Sequence, residues 1–243
     1  MAITIGPGIT VGAGIGISSS SSSPLTNQVL SLDAGNPASY PGAGGYSTWT
    51  DTVGSMTFTL VNGPTYNSAN GGYIQFDPGS GQYAASPTNL GTLAAWSIEA
   101  WHYYDGTNVG SGPNIFTEYP YGGGTINLGL GSTNNASDLQ TWWYGGGFQT
   151  TDPYTLTPGA WYQIVGTFDG TTLNLYVNNT VVETTNRPPG GAANLSIGYG
   201  LMTRWDSGGF WGGGLAIVNL YNSALTGTEV SQNFNYYRSR FGL

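Results

Sequence analysis

The sequence predicts an all-β chain, folded as two antiparallel sheets packed into a sandwich, with one C-terminal helix and an extended N-terminal arm. Three observations carry this. From Leu25 onward, short runs of β-type residues alternate with turn residues, and no helical stretch falls between them. Aromatic residues make up 14% of the 243 positions, enough to fill an inter-sheet core. Most of the 41 glycines fall between the β runs and along the arm, where they mark turns and an extended backbone rather than helix.

The first element is residues 1–17. Ile3, Ile5, Ile9, Val11, Ile15 and Ile17 occupy odd positions, while the even positions hold mostly Gly and Thr. Alternation with period two puts one apolar face on an extended chain. A Gly-rich strand orders poorly alone, because glycine loses the most entropy and offers no side chain to pack. The arm therefore needs a partner surface. The expected one is another protein, reached by strand addition or groove insertion through these six residues. Folding back as an edge strand of its own domain is the other arrangement. Residues 18–24, six serines and Pro24, read as a linker, and residues 25–243 as the domain.

Within the domain the strands expected in order are Gln28–Asp33, Thr57–Val61, Tyr73–Phe76, Ser97–Tyr104, Asn114–Glu118 and Thr125–Leu130. Asp138–Tyr144, Trp161–Asp169, Thr172–Asn178, Leu195–Gly198 and Leu215–Tyr221 follow. Asn62-Gly63, Asp169-Gly170 and Asn178-Asn179 are hairpin-type turns. A helix over about 226–239 closes the chain. Thr226 caps it, Glu229 follows three residues later, and Val230, Phe234, Tyr237 and Phe241 recur at helical spacing.

Composition excludes several functions. Four Arg, no Lys and twelve acidic residues give a net charge of −8, which leaves no basic cluster for nucleic-acid phosphates. The absence of Cys removes disulfides, thiolate zinc sites and a cysteine nucleophile. No stretch approaches the roughly 20 apolar residues of a membrane span, and residues 1–17 lack the basic start of a signal peptide.

Several segments together carry a family resemblance. Gly72–Asp77 with Gln82-Tyr83 and the Trp96–Trp101 segment resemble the opening half of a laminin-G-like domain. Trp161-Tyr162, Gly166–Gly170 and Leu175–Asn178 resemble its central hairpin. Leu195–Gly198, Phe210–Gly212 and Leu220–Thr226 resemble its closing strands. The resemblance covers about 26–237 and implies the concanavalin A-like jelly roll. The ending, Glu229–Asn235 and Arg240–Leu243, and the Ile-Thr-Ile-Gly arm are similar to structural proteins of marine tailed phages. That implies a non-enzymatic virion protein, most simply a capsid decoration protein anchored by its arm. It would be made in the host cytoplasm without a signal peptide, sit on the particle exterior and assemble there as a homo-oligomer beside other capsid or tail proteins. A carbohydrate-binding module, or a tail-fibre or receptor-binding protein recognising a host surface glycan, is the alternative.

Glycoside hydrolases on this fold need paired carboxylates, and the chain has no Glu-x-Asp-x-x-Glu motif. Glu99 and Glu118 are isolated, and the single His102 reads as a packed core residue. For a surface glycan, alternation in Asp138–Tyr144 places Leu139, Thr141 and Trp143 on one face. Asp138, Gln140, Trp142 and Tyr144 share the other, a candidate saccharide platform. No cofactor is expected. Calcium is the one metal the pattern leaves open, with Asp77, Asp105 and Asp206 beside Gly-rich turns as its candidate ligands. Such turn aspartates otherwise bond local backbone.

Overall fold

The computed structural model describes residues 3–4, 10–11, 27–88, 90–119, 128–132, 138–144, 148–186, 193–195 and 198–243. Two antiparallel sheets dominate it. In the first, the order runs Thr180–Asn186, Thr172–Val177, Ala160–Phe168, Trp96–Tyr104, Gly213–Tyr221, Tyr73–Phe76 and Thr65–Asn67. Gln28–Asp33 joins by pairing with the later half of Gly213–Tyr221. The second sheet runs Phe148–Thr150, Asp138–Tyr144, Leu128–Gly131, Asn114–Glu118, Tyr199–Leu201, Tyr83–Ser86, Thr57–Val61 and Thr48–Thr50. Tyr154–Thr155 adds to Asp138–Tyr144.

The expected sandwich is therefore present, and its register follows side-chain alternation. Ile98 and Ala100 enter the inter-sheet core, whereas Trp101 leaves it for the opposite face. Trp143 stacks on Phe168 across the core with ring centroids 4.7 Å apart. Asn178 and Asn179 both adopt positive φ, the backbone a two-residue primed turn demands, between the paired strands Thr172–Val177 and Thr180–Asn186. Asn62 and Gly63 also adopt positive φ, but Thr57–Val61 and Thr65–Asn67 lie in different sheets, so the hairpin expected there is instead a turn that crosses between sheets.

The helix spans Gly227–Phe241 and lies on the outer face of the first sheet. Thr226 and Glu229 form the full capping box, each side chain accepting from the other's backbone N–H. Trp101 stacks on Phe241 at 4.6 Å and on Phe234 at 6.0 Å, and Trp161 meets Phe241 at 4.6 Å. Val230 packs with Val165, Tyr176, Tyr221 and Leu225. At the helix end Arg240 pairs with Asp33 at 2.8 Å and donates to the carbonyls of Asn70 and Gly72 at 2.6 and 2.5 Å. No described helix is long and apolar enough to cross a membrane.

In the arm, Ile3–Thr4 pairs antiparallel with Thr10–Val11, with Ile3 opposite Val11. Ile5, Ile9, Ile15 and Ile17, with the serine run, lie outside the described residues.

Candidate functional site

Glu99 is fully buried at the centre of the first sheet, on the face the helix covers. Its Oε1 accepts from Trp101 Nε1 at 3.2 Å and Gln163 Nε2 at 2.8 Å. Its Oε2 accepts from Asn219 Nδ2 at 3.2 Å, Tyr221 Oη at 3.0 Å and the helix residue Asn233 at 2.8 Å. Five donors from three strands and the helix therefore converge on one carboxylate. A buried charge persists only when so compensated. With every lone pair engaged and a helix overhead, Glu99 has no route to a substrate.

His102 sits in the inter-sheet core, edge-on to Trp211 with ring centroids 6.1 Å apart. Its Nδ1 lies 3.0 Å from the Gly214 carbonyl, and Nε2 has no partner among the described residues. Burial disfavours its cationic form and pulls its pKa down to about 4, against a smaller upward pull from the Gly214 bond. It is a neutral core residue, as the sequence suggests, and it is no exposed base.

The three candidate calcium ligands are each committed locally. Asp77 caps the turn Pro78–Ser80, accepting from Gly79 N–H at 2.9 Å and the Ser80 hydroxyl at 2.7 Å. These bonds hold its carboxyl below the usual range. Asp105 accepts from the Thr107 N–H and hydroxyl at 2.8 and 2.6 Å and from Gln75 at 3.2 Å. Asp206 forms a forked pair with Arg204 at 2.6 and 2.7 Å, and Arg204 lowers its pKa. Among the described residues no group of three or more His, Cys, Asp or Glu side chains is placed to hold a metal ion. The local reading of these aspartates accounts for their contacts.

The strand Asp138–Tyr144 has the alternation expected of it, but it does not present an open platform. Leu139 and Trp143 enter the core, and Thr141 closes on Gly166 across the sandwich. On the opposite face Trp142 is only 3% exposed. It lies flat over Gly129, whose absent Cβ would fall 2.0 Å from the indole. Gln140 is 7% exposed and donates to the Thr151 carbonyl at 2.7 Å. Asp138 accepts from the Thr155 hydroxyl at 3.4 Å, while the side chain of Tyr144 lies outside the described residues. Of the four, Gln140 and Trp142 are thus structural in placement.

The open aromatic surface lies farther along, where Tyr83 of the strand Tyr83–Ser86, Tyr119 just past Asn114–Glu118, and Phe210 of a separate strand pair, Asn108–Gly110 with Gly209–Trp211, are each half-buried. Tyr83 meets Tyr119 at 5.5 Å and Phe210 at 6.0 Å between ring centroids. A hydroxyl chain runs from Tyr83 to Tyr119 at 3.1 Å and on to Ser207 at 2.8 Å. Partial burial, then the Tyr119 hydroxyl, push the Tyr83 phenol up to about 12. Ring faces beside a fixed row of hydroxyls supply both stacking area and hydrogen bonds. Sequence reading missed this patch because its rings come from three distant segments. The one local signal was that Tyr83 and Phe210 stand in the segments that carry the family resemblance.

A helix-backed, two-sheet sandwich with an aromatic outer face defines a lectin-like class of domain. The laminin G-type model of the concanavalin A-like lectin/glucanases superfamily matches residues 78–231, and the chain belongs to that superfamily. A search of curated protein sequences gave no match. Among solved structures, domain 4 of AbnA, an extracellular arabinanase from Geobacillus stearothermophilus in complex with arabinotriose, aligns with TM-score 0.64 and 13% identity, covering 85% of this chain and 98% of that one. The binding domain of botulinum neurotoxin DC in complex with SialylT aligns with TM-score 0.62 and 12% identity over 87% of this chain and 52% of that one. A Trypanosoma rangeli sialidase aligns with TM-score 0.61 and 16% identity over 87% of this chain and 33% of its own. The chain spans about half the length of the toxin binding domains it matches. Identities this low establish shared fold alone.

Proposed function

We propose that this chain is a non-catalytic structural protein of a tailed-phage particle, a capsid decoration protein whose jelly roll is displayed outward and whose N-terminal arm docks it. The observation that carries the non-catalytic reading is Glu99. The one carboxylate at the centre of the helix-covered sheet is spent on five hydrogen bonds, four from strand residues and one from Asn233 of the helix. The docking role rests on the alternating apolar positions of the arm, because each buried Ile side chain contributes about 1.5–3 kcal/mol. Many copies on one particle then add avidity for a surface ligand. A Lys-free exterior keeps such contacts nearly independent of salt.

Deletion of residues 1–23 tests the docking role. The truncated chain should stay soluble and lose co-sedimentation with the particle. Retained attachment, or an arm that contacts only its own sandwich in the assembled particle, would refute it.

The Tyr83, Tyr119 and Phe210 patch favours a second reading, in which the sandwich is a receptor-binding or carbohydrate-binding module for a host surface glycan. The two readings combine if the displayed domain is itself the glycan binder. Glycan binding that survives deletion of residues 1–23 and is lost in Tyr83→Ala would support it.

A further inference from the structure

At one side of the sandwich the two sheets end together, Thr65–Asn67 closing one and Thr48–Thr50 the other. There residues 43–47, Leu60 and residues 63–66 line a cavity of about 540 Å³. That lies within the roughly 300–1,000 Å³ typical of small-molecule clefts. Tyrosines build it. Tyr40 is 2% exposed and stacks on Tyr66, with centroids 5.4 Å apart and planes 25° apart. Tyr46 meets Tyr40 edge-on at 5.8 Å and remains 44% exposed. The Tyr40 hydroxyl donates to the Tyr46 carbonyl at 3.3 Å, which ties the exposed wall to the buried ring behind it.

The polar groups are arranged around these rings. Ser47 and Thr65 bring hydroxyls to the lining, and the exposed loop 43–45 brings backbone amides that none of the described hydrogen bonds engages. Gly45 and Gly63 also line it, both at positive φ, and neither has an atom within 4 Å of where a Cβ would stand. Among the described residues no Asp, Glu, Lys, Arg or His side chain lines the cavity.

We propose that the cleft lined by Tyr46 and Tyr66, with Tyr40 stacked behind them, is a binding site for a short neutral saccharide. The C–H face of a sugar ring packs against the Tyr46 and Tyr66 rings, while its hydroxyls bond the Ser47 and Thr65 side chains and the loop amides. A wholly apolar ligand would strand those polar groups. An anionic sugar would lose hydration without gaining a counter-charge. The site is separate from the patch at Tyr83, and it rests on the reading of the displayed domain as a glycan binder.

The full chain is tested on an array of neutral and sialylated oligosaccharides, and the best neutral binder is then titrated calorimetrically against variants. Neutral glycans should bind, with affinity little changed when salt is raised. Tyr46→Ala should weaken binding at least about tenfold, the equivalent of about one lost packing contact. Tyr46→Phe and Tyr83→Ala should leave it near parental. Tyr46 is exposed, so its alanine variant should melt with the parent, and a matching thermal transition establishes that lost binding is local. Glycan binding that persists in Tyr46→Ala but disappears in Tyr83→Ala overturns the cleft and leaves the glycan reading standing. Exclusive binding of sialylated glycans overturns the neutral-ligand assignment. The absence of binding to any glycan overturns both.

Discussion

On the outer face of the first sheet Glu99, Trp101 and Trp161 lie beneath the C-terminal helix; beside the second sheet, Tyr83, with Tyr119 and with Phe210 of a separate strand pair, stays half-buried. Both regions carry aromatic rings beside polar groups. The difference is cover. Under the helix, aromatic rings become packing surface and a carboxylate becomes a hub for donors. Without a helix, equivalent rings keep an edge to water and a hydroxyl row that a ligand can use. A residue type therefore does not mark a site. Its cover and the saturation of its hydrogen bonds decide whether it holds the fold or meets a partner.

The largest effect should come from breaking the covered face. Glu99→Ala leaves five buried donors without their acceptor, and removing one partner from a buried charged network costs about 3–5 kcal/mol. Urea unfolding at neutral pH should show a loss of that size. A loss below about 1 kcal/mol would mean that the helix is held by aromatic packing alone.

The contrast between the faces also explains what could be read from sequence. The capping box at Thr226 and Glu229 is local, and it was legible. So were strands rich in β-type residues, with Gln28–Asp33, Thr57–Val61, Tyr73–Phe76 and Asn114–Glu118 at their expected bounds. Thr180–Asn186 was not, because the edge strand alternates weakly between exposed and half-buried residues and takes its register from Thr172–Val177. Trp142 was placed on the right face with the wrong exposure. Its bed is Gly129 on the neighbouring strand, which no local pattern identifies. The partners of Glu99 span positions 101 to 233, so its role emerges only once the topology brings them together.

His102 separates cover from saturation, since it is fully buried yet has one ring nitrogen without a described partner. Its native pKa is depressed from 6.5 to about 4. For a depressed histidine the stabilisation is present above the unfolded pKa and is lost as pH falls through the native one. Stability should thus decline from pH 6.5 through about 4, by an amount on the order of 3 kcal/mol at about 1.4 kcal/mol per pH unit. Denaturant midpoints across that window should fall in the parent and flatten in His102→Phe. Equal slopes would remove His102 as their cause.

Arg240→Met should act more modestly, by about 1–3 kcal/mol, because Asp33 keeps the Gly35 N–H bond while losing its counter-charge. Burial already raises the Asp33 pKa, and Arg240 opposes that rise. A raised carboxyl contributes stability below the unfolded value of 3.8 that is lost as pH climbs through the native value. The variant raises that value further. Its destabilisation should therefore be greater at neutral pH than in acid, where Asp33 is protonated in both folded and unfolded chains. A cost independent of pH would assign it to lost packing over Phe241, which the guanidinium covers at 5.1 Å.

The smallest effect belongs to the open face, and it is the sharpest check on the comparison. Tyr119→Phe removes the middle hydroxyl of the Tyr83–Tyr119–Ser207 row while keeping the ring at 5.5 Å from Tyr83. Water can replace a half-exposed hydroxyl, so the stability change should stay within about 0.5–1 kcal/mol. The phenol of Tyr83 should respond more clearly. Its pKa near 12 arises first from burial and next from the Tyr119 hydroxyl. Removing that hydroxyl should lower it toward, but not to, the ordinary 10, because burial persists. Ultraviolet difference titration reads the shift directly. A Tyr83 titration unchanged in Tyr119→Phe would mean that the two hydroxyls are not coupled. A loss of several kcal/mol would mean that this face, like the one beneath the helix, is built to hold the fold rather than to meet a ligand.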